Sequence, residues 1–183
     1  MAPGQRALDL GTGTGTLALG FAARGLDVTG LDVARELLDV ARQAALDRGL
    51  TARFVEGRAE ATSQDGASFD LVSAGQCWWW FDSDAAIEEA VRMLVPGGRL
   101  LIASFSYLPL SGTIAGRTED LILEHNPGWP NAGWSGLHPE HVEALDADQV
   151  ERFDDELADL LASEFPGELT VPHSVFATSG TRP

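Results

Sequence analysis

The chain has 183 residues, of which 44% are hydrophobic, and this length suits one folded domain with a sizeable core. Its formal net charge of −16 predicts that neither nucleic acid nor an anionic membrane is a partner, because both surfaces are negatively charged. The single cysteine, Cys77, excludes an internal disulfide and a multi-cysteine metal site, and it favours a reducing cytoplasm. We expect neither a membrane-spanning segment nor a secretion signal.

The first half of the chain alternates short apolar runs with helical patterns. This alternation predicts an α/β fold with a doubly wound, mostly parallel sheet and helices on both faces. The predicted strands cover residues 6–10, 26–32, 52–56, 69–74 and 98–105. The predicted helices cover about 14–24, 34–48 and 83–94. We expect Asp82 or Ser83 to cap the third of these helices.

The second half of the chain has a different character, because residues 106–147 are rich in proline, glycine and aromatic side chains. A helix over about 113–125 is expected near the start of this segment. An apolar stripe predicts a second, amphipathic helix over 147–163, and its members are Val150, Phe153, Leu157, Leu160 and Leu161. Residues 169–177 alternate loosely between apolar and polar, which predicts a last strand at the edge of the sheet.

Residues 9–15, Asp-Leu-Gly-Thr-Gly-Thr-Gly, join the first predicted strand to the first predicted helix. Glycine accepts backbone angles that other residues avoid, and it has no side chain to hold a ligand away from the backbone. The carboxylate of Asp9 is expected to face the ligand and to favour an ammonium group on it. Asp32 ends the next strand, where it can accept two hydrogen bonds from a ribose. This arrangement indicates a nucleotide-type cofactor site at the edge of a parallel sheet.

Two classes of cofactor compete for such a loop. The dinucleotide fingerprint requires glycine or alanine at the position where this chain has Thr16. The pattern here is Asp-x-Gly-x-Gly-x-Gly, with an acid before the glycines. In this form it resembles the first motif of the class I S-adenosylmethionine (SAM)-dependent methyltransferases. An NAD-dependent oxidoreductase is the competing interpretation.

Later segments of the chain resemble the same family, in the same order and spacing. Residues 54–60 look like the segment after the third strand, and residues 68–72 look like the start of the fourth. Residues 74–81 look like the loop that follows, and residues 94–100 look like the Pro-Gly-Gly turn before the fifth strand. The resemblance covers residues 6 to about 105. It is closest to the small-molecule group that includes enzymes methylating ubiquinone, menaquinone and trans-aconitate.

The resemblance implies a Rossmann-like methyltransferase fold that binds SAM and methylates a small-molecule acceptor. The glycine loop would hold the methionine end of the cofactor, Asp32 the ribose, and Val33 and Ala59 the adenine ring. The cofactor-binding residues that it implies are Asp9, Gly11, Thr12, Gly13, Gly15, Asp32, Val33, Ala59, Glu60 and Gln76. The family usually carries an acid where this chain has Arg58. Either Glu60 replaces that acid or Arg58 stacks on the adenine, unless both face solvent.

Four aromatic residues follow the fourth predicted strand: Trp78, Trp79, Trp80 and Phe81. They could wall an apolar acceptor pocket, or one or two of them could pack the next helix against the sheet. Similar proteins often carry a histidine, a possible base, at the position of Trp79. The histidines left as candidate general bases are His125 and His138. His138 and His141 lack a third ligand at a matched spacing, so we expect no metal site.

Methyl transfer needs the donor and acceptor to be held in line and water to be excluded, so a catalytic side chain is not required. We expect a single domain in which residues 1–105 bind the cofactor, 106–147 form a substrate lid and 148–183 supply the last helix and strand. The family pattern also has N-terminal helices and a further strand near residues 145–148, and this sequence lacks both patterns.

These departures predict that N-terminal helices and part of the C-terminal sheet are missing from this chain. The exposed sheet edge left by the missing elements would favour a homodimer. The departures from the family pattern also keep open a non-catalytic alternative. This alternative is a cofactor-binding or regulatory homologue that retains the fold without transferring a methyl group.

Overall fold

The computed structural model of this protein describes residues 2–128 and 146–183. These residues form two compact units. The first contains the residues up to Ser104 together with Phe176–Pro183, and the second contains the described residues of Phe105–Val175. Within the described ranges, every helix is too short or too polar to cross a bilayer.

Six strands form one sheet in the order β3-β2-β1-β4-β5-β6. Their bounds are β1 Arg6–Leu10, β2 Asp27–Asp32, β3 Arg53–Glu56, β4 Phe69–Gly75, β5 Leu94–Tyr107 and β6 His173–Thr181. Strands β1 to β5 pair with one another in parallel. Strand β6 runs antiparallel to β5, because Arg182 bonds to Gly98 while Pro172 bonds to Leu108. The predicted doubly wound, mostly parallel sheet is confirmed.

In the described part of the chain, five α-helices connect or follow these strands. Their bounds are α1 Thr16–Ala22, α2 Arg35–Asp47, α3 Ser83–Met93, α4 Ile114–His125 and α5 Ala147–Glu164. Asp82 caps α3 by accepting a hydrogen bond from the backbone of Ala85, as the sequence predicts. Asp146 and Gln149 form a reciprocal capping box that fixes the start of α5.

The core of the first unit lies on both faces of the sheet, because successive side chains of a strand point to opposite faces. Ala7 of β1 packs with α1 and α2 on one face, where Leu19 and Leu38 are buried. Leu8 packs on the other face, where Met93 of α3 is buried. Helices therefore cover both faces, which leaves the carboxyl ends of β1, β2 and β4 free to carry loops at one edge.

Two predicted strand boundaries are wrong. Strand β5 begins at Leu94 rather than at residue 98, because the Pro-Gly-Gly segment forms an irregularity inside the strand, with Gly97 at φ +79°. Strand β6 covers His173–Thr181 rather than 169–177. The weak alternation of residues 169–171 ends at Pro172, which has no backbone N–H to donate to a sheet, and the strand begins after it.

Charged residues alternate in sign along the amino-terminal edge of the sheet. Arg53, Asp27 and Arg6 are the first residues of β3, β2 and β1, which are neighbours in that order. Asp70 of β4 accepts a hydrogen bond from the backbone of Arg6, at 2.8 Å. Arg99 of β5 pairs with the residue after Asp70. A polar cavity of about 190 Å³ opens among the first three of these side chains.

In the second unit, helices α4 and α5 pack against each other through charged and aromatic contacts. Arg117 of α4 pairs with Glu164 of α5, with Nε and Oε2 2.9 Å apart. The predicted apolar stripe of α5 is half-buried except at Val150, which is 43% exposed. Of the predicted lid segment, residues 129–145 lie outside the described residues, and the lid stays a prediction.

Candidate functional site

The loop between β1 and α1 has three glycines with left-handed backbone angles: Gly11 at φ +59°, Gly13 at +53° and Gly15 at +87°. Side chains other than glycine are strained at such angles. A β-carbon at Gly11 would lie 2.7 Å from the sulfur of Cys77, so that position is also closed by packing. A β-carbon at Gly13 would meet no atom within 4 Å. The backbone of Gly13 therefore presents an open face that a ligand could approach.

Backbone hydrogen bonds hold this loop against the end of β2. The N–H of Thr12 donates to the carbonyl oxygen of Leu31 at 3.0 Å, and the N–H of Gly15 donates to the carbonyl oxygen of Thr12 at 2.8 Å. The N–H of Gly13 donates to Oδ2 of Asp32 at 2.8 Å. The loop shape is thus fixed by contacts within the protein.

Asp32 lies at the rim of the glycine loop, where the sequence predicts it. Its Oδ1 accepts from the backbone of Ala34 at 2.9 Å, and its Oδ2 accepts from Gly13. Each carboxylate oxygen can accept a further hydrogen bond, so the group retains the capacity to receive two ribose hydroxyls. The next residue, Val33, is 63% exposed and presents an apolar surface of the kind on which a flat ring packs.

Asp9 lies beneath the loop and is only 2% exposed. Its Oδ2 accepts from the hydroxyl of Thr12 at 2.7 Å, and its Oδ1 accepts from the hydroxyl of Ser73 at 2.6 Å. Burial raises the pKa of Asp9 from 3.8 to about 6, although these hydrogen bonds favour the charged form. Contact between Asp9 and a ligand ammonium stays a prediction, since both oxygens already have partners within the protein.

The segment after β3 contains the third group of predicted cofactor residues. Ala59 is buried in the core beside α3. Glu60 accepts a hydrogen bond from the backbone of Asp82 at 3.1 Å and lies 3.5 Å from Arg58. The Arg58 side chain is 71% exposed, whereas that of Glu60 is 16% exposed. Arg58 therefore fits the solvent-facing interpretation and Glu60 does not, while adenine contact by either is untested.

Strand β4 ends in a sharp turn at Gln76, whose φ of +60° is unusual for a residue with a side chain. The thiol of the next residue, Cys77, donates to the carbonyl oxygen of Leu10 at 3.2 Å. Burial raises the pKa of this thiol to about 12, so it is neutral at physiological pH. This contact brings the turn after β4 against the glycine loop.

The four aromatic residues after that turn divide into two pairs. Trp78 and Phe81 meet edge to face with ring centroids 5.8 Å apart, and both pack against the core beside α3. Trp79 and Trp80 are 50% and 71% exposed. Trp78 therefore packs against the core, and the lining of an acceptor pocket by these aromatic residues stays a prediction.

His125, a predicted base candidate, belongs to the second unit. Its Nε2 lies 3.0 Å from Oε2 of Glu156, and its ring meets Phe153 edge to face. These contacts join α4 to α5, and a catalytic role for His125 stays a prediction. The other candidate, His138, lies outside the described residues, as does His141. In the described part of the chain, no cluster of three His, Cys, Asp or Glu side chains could hold a metal ion.

Ser73 is the site residue that the sequence interpretation missed. It is fully buried on β4, and its partner Asp9 is 64 positions away in the chain. A polar residue within the apolar run of residues 71–74 was the available signal, because a buried hydroxyl requires a hydrogen-bond partner.

Comparisons with known proteins give a consistent result. The sequence model of a family described as a methyltransferase domain matches residues 7–98. An uncharacterized methyltransferase from Mycobacterium tuberculosis is 46% identical over 99 residues, which are 54% of this chain and 39% of that protein. A demethylmenaquinone methyltransferase from Thermus thermophilus is 42% identical over 104 residues, which are 55% of this chain and 47% of that protein.

Among solved structures, a SAM-dependent methyltransferase from Methanosarcina mazei is 28% identical with a TM-score of 0.52. The match covers 56% of this chain and 53% of that structure. The chain thus spans less than half the length of the two curated relatives that it matches.

Proposed function

The chain belongs to the class I SAM-dependent methyltransferase family, and from this premise we propose that it transfers the methyl group of SAM to a small-molecule acceptor. The observation that carries the proposal is the glycine loop. Its backbone is open at Gly13, and the carboxylate of Asp32 lies at its rim with the capacity to accept two more hydrogen bonds. This combination fits an adenosyl group, whose ribose offers two hydroxyls.

The described residues fit the cofactor at Gly13 and at Val33. A side chain at Gly13 would fill the space that the cofactor needs, and none is present. The exposed apolar surface of Val33 adjoins Asp32, where the adenine ring would follow the ribose. SAM supplies an electrophilic methyl group when bound. The role of the loop, of Asp32 and of Val33 is to bind and orient it.

In this proposal, catalysis comes from positioning the reactants and excluding water. The sulfonium leaving group becomes neutral, so no side chain is needed to stabilise a developing negative charge. In-line positioning and exclusion of water lower the barrier. A general base is required only if the acceptor atom carries a weakly acidic proton.

The acceptor in this proposal is a small, largely apolar molecule that contacts Trp79 and Trp80. Two exposed indoles on one short turn form an apolar surface next to the candidate cofactor site. The name of the relative from Thermus thermophilus, a demethylmenaquinone methyltransferase, agrees with an aromatic acceptor. The net charge of −16 supports a small molecule rather than nucleic acid, and the single cysteine supports a cytoplasmic location.

Calorimetric titration with S-adenosylhomocysteine tests the cofactor assignment. Asp32→Ala should weaken binding about tenfold or more, because a hydrogen bond to a charged group contributes about 1.5–3 kcal/mol. Asp32→Asn, which keeps one acceptor oxygen, should weaken it less. Asp39→Ala is the matched control, since it removes an equally charged, exposed side chain from α2 and should leave the affinity unchanged.

Three outcomes would contradict the proposal. Wild-type binding weaker than millimolar would refute the cofactor, and saturable binding of NADH instead would favour the oxidoreductase. Equal affinities of wild type and Asp32→Ala would refute the ribose assignment. Tight cofactor binding without methyl transfer from labelled SAM to any acceptor in a quinone and phenol panel would favour the non-catalytic homologue.

A further inference from the structure

A chain of buried hydrogen bonds runs from β4 through β1 to the glycine loop. The hydroxyl of Ser73 donates to Oδ1 of Asp9 at 2.6 Å, and the hydroxyl of Thr12 donates to Oδ2 of Asp9 at 2.7 Å. All three side chains are less than 10% exposed. Thr12 is the residue between Gly11 and Gly13, so this series of hydrogen bonds ends in the glycine loop itself.

We propose that Ser73 is a positioning residue for this loop, because it holds the Asp9 carboxylate ionised and directed at Thr12. Protonation of Asp9 then weakens cofactor binding, which makes cofactor affinity dependent on pH. The inference deepens the proposed function and rests on it to the extent that the loop binds SAM. Ser73 touches neither cofactor nor acceptor in this assignment, and it acts through Asp9.

The charge state of Asp9 is balanced between opposing effects. Its pKa is raised to about 6, chiefly by burial and to a smaller extent by the negative charge of Asp32 on β2. Hydrogen bonds from Ser73, from Thr12 and from the backbone of Ala18 in α1 lower it. The nearby Cys77 thiol is neutral, with its pKa raised to about 12 by burial, and adds no charge. Of the interactions that lower the pKa of Asp9, the hydrogen bond from Ser73 has the largest effect.

Protonation of Asp9 changes what it can do for the loop. The ionised carboxylate accepts from both hydroxyls, whereas the protonated group carries an O–H and becomes a donor at one oxygen. The hydroxyl at that oxygen must then accept the hydrogen bond from Asp9 and turn its own hydrogen toward another partner. Thr12 is packed, with its methyl group close to Gly30 and its N–H on Leu31, so a change at its hydroxyl is transmitted to the loop.

The test is the pH dependence of S-adenosylhomocysteine affinity for wild type and Ser73→Ala between pH 5 and pH 9. Wild-type affinity should fall below about pH 6. In Ser73→Ala the midpoint should rise by about one pH unit, because a hydrogen bond to the ionised form is lost. Affinity at pH 7 should therefore weaken about twofold, because about half of Asp9 would be protonated at that pH. Ser73→Thr, which keeps the hydroxyl, should restore the wild-type midpoint.

Thr29→Val is the matched control. It removes another buried hydroxyl, on β2, whose partner is Arg53 rather than Asp9, and should leave the midpoint unchanged. If Ser73→Ala does not fold, Thr12→Val removes the other hydroxyl from Asp9 and should shift the midpoint in the same direction. The inference would be overturned if folded Ser73→Ala, or Thr12→Val in its place, had the same midpoint as wild type.

Carbon-13 NMR titration of the Asp9 carboxyl separates this inference from the proposed function. The titration midpoint of Asp9 should be higher in Ser73→Ala than in wild type, whether or not a cofactor binds. A wild type that binds no S-adenosylhomocysteine at any pH would refute the proposed function and the cofactor part of this inference. An Asp9 titration that Ser73→Ala leaves unmoved would refute the positioning role alone.

Discussion

Replacing Asp9 with asparagine should stabilise the protein at neutral pH. The carboxylate is 2% exposed, and burial raises its pKa from 3.8 to about 6. Asparagine has nearly the same shape and can still bond to the hydroxyls of Thr12 and Ser73. The substitution therefore removes the free-energy cost of burying a charge while keeping most of the packing.

The size and sign of this stabilisation follow from proton linkage. The folded state holds the Asp9 proton more tightly than the unfolded chain, so this group's contribution is most favourable below pH 3.8. It is lost as the pH rises to about 6 and is constant above that. A shift of about two pKa units corresponds to about 3 kcal/mol at pH 8.

Urea unfolding of wild type and Asp9→Asn at several pH values between 5 and 8 measures this effect. The free energy of unfolding of Asp9→Asn should exceed that of wild type by an amount that grows by roughly 1.5 kcal/mol from pH 5 to pH 7.5. Other titrating groups contribute to both proteins and cancel in the difference. A difference that stays flat across this range would refute a raised pKa for Asp9.

Two further pairs of substitutions separate packing from ligand space. Gly11→Ala should destabilise by about 3 kcal/mol in urea unfolding, since its β-carbon would strike Cys77, whereas Gly13→Ala should lose only about 1 kcal/mol to backbone strain. Gly13→Ala should nevertheless weaken S-adenosylhomocysteine binding, and unchanged affinity would argue against a ligand on that face. Trp78→Ala should destabilise by about 2 kcal/mol, and Trp80→Ala by less than about 0.5 kcal/mol, with the loss in Trp80→Ala falling on acceptor turnover instead. Equal losses of stability would contradict the division of the aromatic residues.

The parts of the fold that the sequence predicts well are those governed by local rules. Strands β1 and β4 are buried on both faces, so they are short runs of mainly apolar residues. The glycine loop is predicted because left-handed angles demand glycine at Gly11 and Gly13, whatever lies around them. Asp32 follows from the same logic, since the end of β2 must lie beside the end of β1 in a parallel sheet.

The parts that the sequence does not predict depend on distant partners. The bond between Ser73 and Asp9 joins residues whose pairing is set by the register of β4 on β1. The roles of Trp78 and Trp80 differ although the residues are identical and two positions apart, because only the first turns toward the core. Their orientation is fixed by the fold of the turn after β4, which leaves no periodic signal in the sequence.

The alternating charges at the amino-terminal edge of the sheet bear on how the strands find their order. Arg53, Asp27, Arg6, Asp70 and Arg99 follow one another across five neighbouring strands. Within this series, neighbouring strands carry opposite charges, whereas exchanging β1 for β4 would place Asp27 and Asp70 on neighbouring strands. Opposite charges that face each other on adjacent strands contribute about 0.2–1 kcal/mol a pair, and like charges there are destabilising. The charge order therefore disfavours misassembled sheets during folding, at the edge of the sheet opposite the glycine loop.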